Sequence, residues 1–262
     1  MPLTCGDRTV HAVLFDLDDV IVPFHTPALW QWAWKPQGPA LGERRTLAAL
    51  RRSLHAWNRR RWEGLTGRQP PAGEAAVREH LEETLRAIAG HPLPDAETEA
   101  VVRRLLHPAG EIERYPDVGP CLQRLRAAEV RVGVVTPLPA DSARWLLHRA
   151  GLAEELLLGR SDPAGPSVPD RAAFRDAVKR LDAPVGGSAF VGDLFWSDVH
   201  AAHRAGLSAL LLDRTDAWPR VASGRIRSLD ELESALARAP VSEPVGDPGA
   251  PPGPAPPAGE PI

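Results

Sequence analysis

The stretch Ala12-Val13-Leu14-Phe15-Asp16-Leu17-Asp18-Asp19-Val20 decides the fold of this chain. Its first four residues form an apolar run that is too short for a helix, so they predict a strand buried on both faces. Carboxylates follow at once, at Asp16, Asp18 and Asp19. Polar groups directly after a buried strand are typical of the edge of an open parallel sheet where ligands bind.

Further apolar runs predict more strands of the same kind: Val130–Val135, Leu156–Leu158, Ala189–Val191 and Ala209–Leu212. Between these runs, apolar residues recur at helical spacing, as in the segment from Ala143 to Ala150. Strands that alternate with helices favour a parallel sheet. We therefore predict an α/β fold built on a doubly wound parallel sheet.

The segment over residues 26–114 interrupts this alternation. It shows no strand pattern, whereas apolar residues recur at helical spacing from Leu47 to Trp57 and from Val77 to Ile88. We predict a helical cap over residues 26–114, inserted after the first strand of an α/β core that comprises residues 8–25 and 115–239. The tail over residues 240–262 is rich in Pro and Gly, has little to bury, and is predicted to be disordered.

Composition limits the classes of function. A net charge of -3 over 262 residues gives no support for nucleic-acid binding, and we interpret the arginines between Arg44 and Arg68 as a solvated helix face. No apolar run approaches the roughly 18 residues of a membrane helix. The N-terminus lacks an apolar export segment, and Cys5 and Cys121 form no disulfide framework. We expect a cytoplasmic protein, monomeric or homodimeric.

Polar residues follow two other predicted strands as well. Thr136 comes after the second strand and Asp193 after the fourth, with Asp198 five residues further on. Clustered carboxylates repel each other unless a cation binds between them, and Mg²⁺ prefers oxygen ligands that it shares with substrate phosphate. We expect Mg²⁺ to bind Asp16, Asp193 and the backbone carbonyl of Asp18. Asp198 is expected to contact these ligands rather than the ion.

This arrangement predicts phosphoryl transfer. The Asp16 carboxylate is ionised at neutral pH, so it can attack phosphorus and form an aspartyl phosphate without a separate base. Asp18 can protonate the leaving oxygen and later activate water. Thr136 can hold phosphate oxygens through its hydroxyl and N–H. The chain is therefore predicted to be a Mg²⁺-dependent phosphatase that acts on a small phosphorylated metabolite.

The same residues resemble motifs of the haloacid dehalogenase superfamily. The run Val13–Val20 is similar to the first motif, Val134-Val135-Thr136 to the second, and Phe190-Val191-Gly192-Asp193 through Asp198 to the fourth. A helical cap between the first two motifs is similar to that of the phosphoglycolate phosphatase and β-phosphoglucomutase types. The resemblance implies a Rossmann-like core, with its strand order, and Mg²⁺-dependent chemistry.

One position departs from the family pattern. Relatives carry a lysine before the helix that precedes the fourth strand, where this chain has Val168. Losing one preorganised charge of this kind typically costs roughly 10²–10³-fold in rate. Arg160 and Arg171 are candidates to bind the phosphate instead. Two hypotheses stay open: an arginine restores the site, or the protein is a catalytically impaired relative that binds a ligand or a partner protein.

Other features are left open or given no role. Haloacid dehalogenation shares the nucleophile but needs no metal, and the acidic Gly192-Asp193 pair argues against it. Asp19 stands where many relatives have glycine, and it is assigned no catalytic role. The tryptophans from Trp30 to Trp34 either line the cleft between cap and core or anchor the linker.

Overall fold

The chain folds around one parallel β-sheet. The computed structural model describes residues 3–34, 42–65, 73–107, 113–153, 156–160, 171–218, 221 and 224–238. The strands are β1 (Thr4–Cys5), β2 (Arg8–Thr9), β3 (Ala12–Phe15), β4 (Arg131–Thr136), β5 (Leu157–Arg160), β6 (Ser188–Gly192), β7 (Ser208–Leu212) and β8 (Arg225–Ile226). The six-stranded sheet has the order β5-β4-β3-β6-β7-β8, and every pair in it is parallel. β1 and β2 form a separate antiparallel hairpin.

Helices connect the strands and extend from the sheet. They are α1 (Pro27–Trp34), α2 (Glu43–Leu65), α3 (Gly73–Ala89), α4 (Asp95–Leu106), α5 (Val118–Ala127), α6 (Ala140–Arg149), α7 (Arg171–Arg180), α8 (Ala201–Ala205) and α9 (Leu232–Arg238). A π-helical turn over Phe195–His200 runs directly into α8. No described helix is both long enough and apolar enough to cross a membrane.

The predicted fold class is confirmed by this sheet. β3 has the predicted bounds, and all four of its residues are buried. Alternate residues of β3 point to opposite faces: Val13 and Phe15 belong to one core cluster, and Leu14 belongs to the other. α7 and α8 cover the Leu14 face, whereas α5 and α6 cover the opposite face. The strands are thus buried on both sides, as their continuous apolar runs predict.

In the described part of the chain, four helices, α1 to α4, lie between β3 and α5, and we call residues 27–106 the helical segment. α2 packs against α3 and also against the π-helical turn. The chain leaves and re-enters the core at adjacent points, because the N–H of Tyr115 donates to the carbonyl of Ile21 at 2.9 Å. The predicted boundaries of the cap, over residues 26–114, stay a prediction.

The tryptophans of α1 serve as anchors. Trp30 and Trp34 are buried, and the Trp30 indole N–H donates to the carbonyl of Phe24 at 3.2 Å. The Arg104 guanidinium of α4 stacks on the Trp32 ring, 3.9 Å from its centre. These contacts attach α1 to α4 and to the chain that follows β3. The tail over residues 240–262 and the position of Val168 lie outside the described residues.

A partly buried ion pair joins distant parts of the core. Asp117 accepts two hydrogen bonds from Arg214, at 2.8 and 3.0 Å, and further bonds from the hydroxyl of Ser228 and the N–H of Leu229. Burial raises the pKa of the Asp117 carboxyl, but the hydrogen bonds and charge of Arg214, together with the hydrogen bonds from Leu229 and Ser228, outweigh burial and hold the pKa below its usual range. The ionised form therefore stabilises the fold.

We expect Asp117→Asn to lower the free energy of unfolding by about 1.5–3 kcal/mol at neutral pH, because Arg214 then loses its hydrogen bonds to a charged, partly buried partner. A carboxyl with a lowered pKa stabilises the fold above its unfolded pKa of about 3.9, and this stabilisation is lost as the pH falls through the lower folded pKa. Urea unfolding between pH 7 and pH 3 measures the difference. Asp141→Asn, at an exposed ion pair with Arg144, is the control and should change little. A pH-independent difference would contradict this account.

Candidate active site

The candidate site lies where the direction of strand addition reverses. From β3 the chain adds β4 and β5 on one side, then returns to add β6, β7 and β8 on the other. Open α/β sheets bind ligands in the crevice at this point, beyond the carboxyl ends of the strands. Phe15 pairs in register with both Val134 and Val191, and the N–H of Asp16 donates to the Val191 carbonyl at 2.9 Å. Asp16 is therefore fixed at the centre of the crevice.

Three carboxylates meet there: Asp16, Asp193 and Asp198 each offer one oxygen within 4.8 Å of the others. We call them the carboxylate group. Asp16 and Asp198 are buried, whereas Asp193 is partly exposed. Burial in a group of like charges disfavours ionisation, so this arrangement fits a divalent cation. Its donors are all oxygens, which suits a hard ion such as Mg²⁺.

The π-helical turn brings Asp198 into the group. Such turns often occur at functional sites because they re-aim side chains within a helix. The Leu194 N–H and the Ser197 hydroxyl each donate to Asp198 at 3.0 Å, which orients its carboxylate. From the sequence, we expect Asp198 to contact the metal ligands rather than the ion. In the structure, one Asp198 carboxylate oxygen lies within 4.8 Å of the oxygens of Asp16 and Asp193.

Gly192 has no side chain, and the Asp198 carboxylate occupies the space that a side chain at this position would fill. A Cβ atom at Gly192 would lie 2.5 Å from the Asp198 Cβ and 2.7 Å from both its Oδ2 and the Phe190 ring. Real Cβ contacts are essentially never shorter than about 3.0 Å, so a side chain here must displace a neighbour. The absence of a side chain at position 192 is thus a condition for the geometry of the carboxylate group.

We expect Gly192→Ala to weaken Mg²⁺ binding by about 10- to 100-fold, the effect typical of disturbing groups that orient metal ligands. Overpacking should also lower stability by about 1–3 kcal/mol. Calorimetric titration with Mg²⁺ and urea unfolding measure the two effects. Gly119→Ala in α5 is a matched control, because a Cβ there has only ordinary contacts, which are with the Arg114 side chain. Unchanged Mg²⁺ affinity would disprove the role assigned to Gly192.

The structure also brings Asp18 and Thr136 together. The Thr136 hydroxyl donates to the Asp18 carboxylate at 3.4 Å and accepts from the N–H of Leu138 at 3.3 Å. Thr136 is buried, and Asp18 is partly exposed. The Asp18 carboxylate is not a member of the carboxylate group, and the use of its backbone carbonyl as a ligand stays a prediction.

The two candidate phosphate-binding arginines are placed less directly. Arg160 ends β5 and pairs in register with Thr136, so its backbone lies at the crevice edge of the sheet, whereas its side chain is outside the described atoms. Arg171 begins α7 and is exposed. Neither is shown at the carboxylate group.

The sequence did not reveal the role of Asp19. Asp19 has a left-handed backbone with φ of 58°, which aspartate adopts more readily than most residues other than glycine. Its carboxylate accepts from the N–H groups of Phe24 and His25 at 2.9 Å and from the His25 ring at 2.5 Å. Burial lowers the pKa of His25, but the charge and the hydrogen bond of Asp19 more than compensate and raise it.

A cleft of about 50 Å³ lies between α2 and the core and has Asp193 in its wall. The guanidinium of Arg51 in α2 donates to the Thr215 carbonyl at 2.7 Å. His55, one turn further along α2, packs its ring edge-on to Trp218, whose indole N–H donates to the Asp193 carbonyl at 3.0 Å. The helical segment therefore contacts the core beside the carboxylate group.

Comparisons with known proteins agree with this geometry. A family model described as haloacid dehalogenase-like hydrolase matches residues 10–206. A glyceraldehyde 3-phosphate phosphatase of Methanopyrus kandleri is 30% identical over 138 residues, 52% of this chain and 58% of that protein. A phosphoglycolate phosphatase of Rhodospirillum rubrum is 29% identical over 182 residues, 63% of this chain and 75% of that protein. The match thus spans little more than half of the first relative.

Solved structures show the same fold. The HAD-hydrolase YfnB of Bacillus subtilis, solved bound to magnesium, has a TM-score of 0.64 at 18% identity over 87% of this chain and 98% of that one. The L-2-haloacid dehalogenase RSc1362 has a TM-score of 0.64 at 17% identity, also over 87% of this chain and 98% of that one. Identities this low support the fold alone.

Proposed function

This chain belongs to the haloacid dehalogenase-like hydrolase family, and from this premise we propose that it is a Mg²⁺-dependent phosphatase. The family was predicted from three motifs and is confirmed by the match over residues 10–206. The carboxylate group carries the proposal, because it places two further acidic side chains beside the Asp16 nucleophile. The proposed substrate is a small phosphorylated metabolite, and the protein is proposed to be cytoplasmic and monomeric or homodimeric.

The proposed reaction has two steps. An Asp16 oxygen attacks phosphorus while the bond from phosphorus to the leaving oxygen breaks, and Asp18 gives its proton to that oxygen. Water then attacks the phosphorus of the aspartyl phosphate, returning a proton to Asp18 and releasing inorganic phosphate and the Asp16 carboxylate. Thr136 holds a phosphate oxygen through its hydroxyl or its N–H. Each step conserves charge, and the two steps together return each side chain to its starting state.

Asp16, Asp193 and Asp198 are the side chains proposed to hold Mg²⁺. When bound, the ion neutralises charge between the carboxylates and the phosphate that must approach them. This requirement favours phosphatase over dehalogenase chemistry, although dehalogenases are among the proteins of the same fold. A dehalogenase attacks carbon and has no phosphate charge to neutralise, so a metal ion is not required for its chemistry.

We assign the helical segment to a cap over residues 26–114 that closes on a core of residues 8–25 and 115–239. The support is the cleft, in which Arg51 and His55 of α2 face Asp193 and the loop after β7. A substrate bound to the carboxylate group would place its leaving group in this cleft. Contacts from α2 would then select among phosphate esters.

The cation that replaces the family lysine is proposed to be an arginine. Arg160 and Arg171 remain candidates, and the cleft adds Arg51, which has no carboxylate within ion-pair distance among the described residues. We expect Arg→Gln at the residue that fills this role to lower kcat/KM by roughly 10²-fold, and at the other two by much less. Steady-state kinetics of the three variants identifies it.

Val168→Lys provides the complementary test. Added to the impaired arginine variant, the lysine should restore part of the lost rate, because it returns the positive charge to its position in the family. If all three arginine variants keep wild-type rates while Val168→Lys accelerates the wild type, then no arginine replaces the lysine and the enzyme operates without it.

Hydrolysis of p-nitrophenyl phosphate and of a panel of small phosphate esters tests the function itself. We expect release of inorganic phosphate in the presence of Mg²⁺ and none with excess chelator. An absence of turnover on every ester with Mg²⁺ present would overturn the proposal. It would favour the alternative of a protein that binds a ligand or partner with this fold but lacks the chemistry.

A further inference from the structure

A buried chain of hydrogen bonds runs from the turn after the nucleophile into the helical segment. The Asp19 carboxylate lies 2.5 Å from Nδ1 of His25, and Nε2 of His25 lies 3.1 Å from Nε2 of His80 in α3. The residues His25 and His80 are only 9% and 3% exposed. We call these residues the Asp19–His25–His80 chain. The reaction proposed above makes no use of them.

Asp19 closes the turn that carries Asp18. Its N–H donates to the Val22 carbonyl at 2.7 Å, while its carboxylate accepts from two backbone N–H groups further along. Asp18, directly before it, forms a β-bridge with Val22. Asp18 directly precedes Asp19 in the chain. Fixing the left-handed backbone of Asp19 therefore also fixes the direction of the Asp18 backbone. An anchor on Asp19 therefore orients Asp18.

His25 and His80 extend this anchor to two helices. One shared proton must lie between their Nε2 atoms, whichever ring carries it. His80 also stacks on Trp57 of α2, with ring centres 4.6 Å apart and planes inclined by 24°. The turn that carries Asp18 is thus attached to α2, which lines the cleft, and to α3.

We propose that Asp19, His25 and His80 are positioning residues that hold the Asp18 carboxyl where it protonates the leaving oxygen. The inference rests on the proposed phosphatase function. It separates the two halves of the first step: attack by Asp16 does not depend on the Asp19–His25–His80 chain, whereas proton transfer from Asp18 does. A merely structural role would slow all substrates alike.

Leaving groups of different basicity distinguish these roles. p-Nitrophenolate departs without protonation, whereas the alkoxide of a simple alkyl phosphate needs the proton. His25→Asn keeps an N–H near Asp19 and removes the link to His80. We expect it to lower kcat/KM for the alkyl phosphate by roughly 10²-fold, within the range for one acid–base group, and for p-nitrophenyl phosphate by less than about 3-fold. Asp18→Asn should show the same selectivity, more strongly.

His80→Phe is a second variant, which tests the inference even if His25→Asn does not fold. It keeps a ring to stack on Trp57 and removes the hydrogen bond to His25, so it should show the same selectivity at roughly 10-fold. Thermal unfolding of each variant checks that the fold is kept. Equal slowing of both substrates in a folded variant would overturn the inference and leave the phosphatase intact. A wild type inactive on both substrates would instead overturn the proposed function, and the inference with it.

Discussion

Asp16→Asn is expected to lower kcat/KM for phosphate esters by at least about 10⁴-fold, because an amide cannot attack phosphorus and loss of a nucleophile is among the costliest changes to an enzyme. The fold should not suffer. Asp16 is buried in a group of like charges, so removing one charge leaves the stability of the metal-free protein unchanged or raised. Steady-state kinetics tests the expected loss of kcat/KM, and urea unfolding tests the expected stability.

Asp176→Asn, at an exposed position of α7, is the matched control and should alter neither quantity. Retained activity in Asp16→Asn would assign the nucleophile elsewhere. A large fall in stability together with the loss of activity would instead show that Asp16 supports the turn after β3, where its carboxylate accepts from the Leu17 N–H at 2.7 Å.

Asp193→Asn should have the second large effect, which concerns the metal. Under the proposed function, we expect Mg²⁺ at about 100 times its dissociation constant to stabilise the wild type by about 2.7 kcal/mol, as a ligand that binds only the folded state does. We expect Asp193→Asn to weaken Mg²⁺ binding by at least about 100-fold and to reduce this stabilisation to about 0.4 kcal/mol or less at the same concentration. Thermal unfolding with and without Mg²⁺ measures it.

Thermal unfolding with and without Mg²⁺ is measured without substrate, so it does not depend on turnover. The activity of the variant should return in part at much higher Mg²⁺, as expected when affinity rather than chemistry is impaired. Asp213→Asn is a demanding control, since Asp213 is also a buried acid on the cleft but is paired with Arg225 at 2.8 Å. If the wild type gains no stability from Mg²⁺, the carboxylate group is not a magnesium site.

The strands at the centre of the sheet could be predicted because each is a continuous apolar run ended by a polar residue. β3 was predicted with its observed bounds, since Asp16 ends the run. The hairpin of β1 and β2 and the edge strand β8 could not be predicted, because each strand has two residues and two residues make no pattern.

The spacing of residues along the chain was also insufficient to predict two contacts in the site. A spacing of five residues from Asp193 to Asp198 does not show whether the second carboxylate joins the first. That outcome depends on a π-helical turn and on the space above Gly192. The contact between His25 and His80 spans 55 residues and two helices. No periodicity reports such a contact, because tertiary packing alone creates it.

The hydrogen bond between Tyr115 and Ile21 has a consequence for how this architecture diversifies. Because the helical segment enters and leaves at one point, its length and sequence can vary without moving the register of the sheet or the carboxylates at its edge. Under the proposed function, substrate recognition is then separable from attack by Asp16, as long as the contact from His80 is kept. Transplanting the helices of a relative at this junction, with His80 retained, should exchange substrate preference while attack on phosphorus stays with the core.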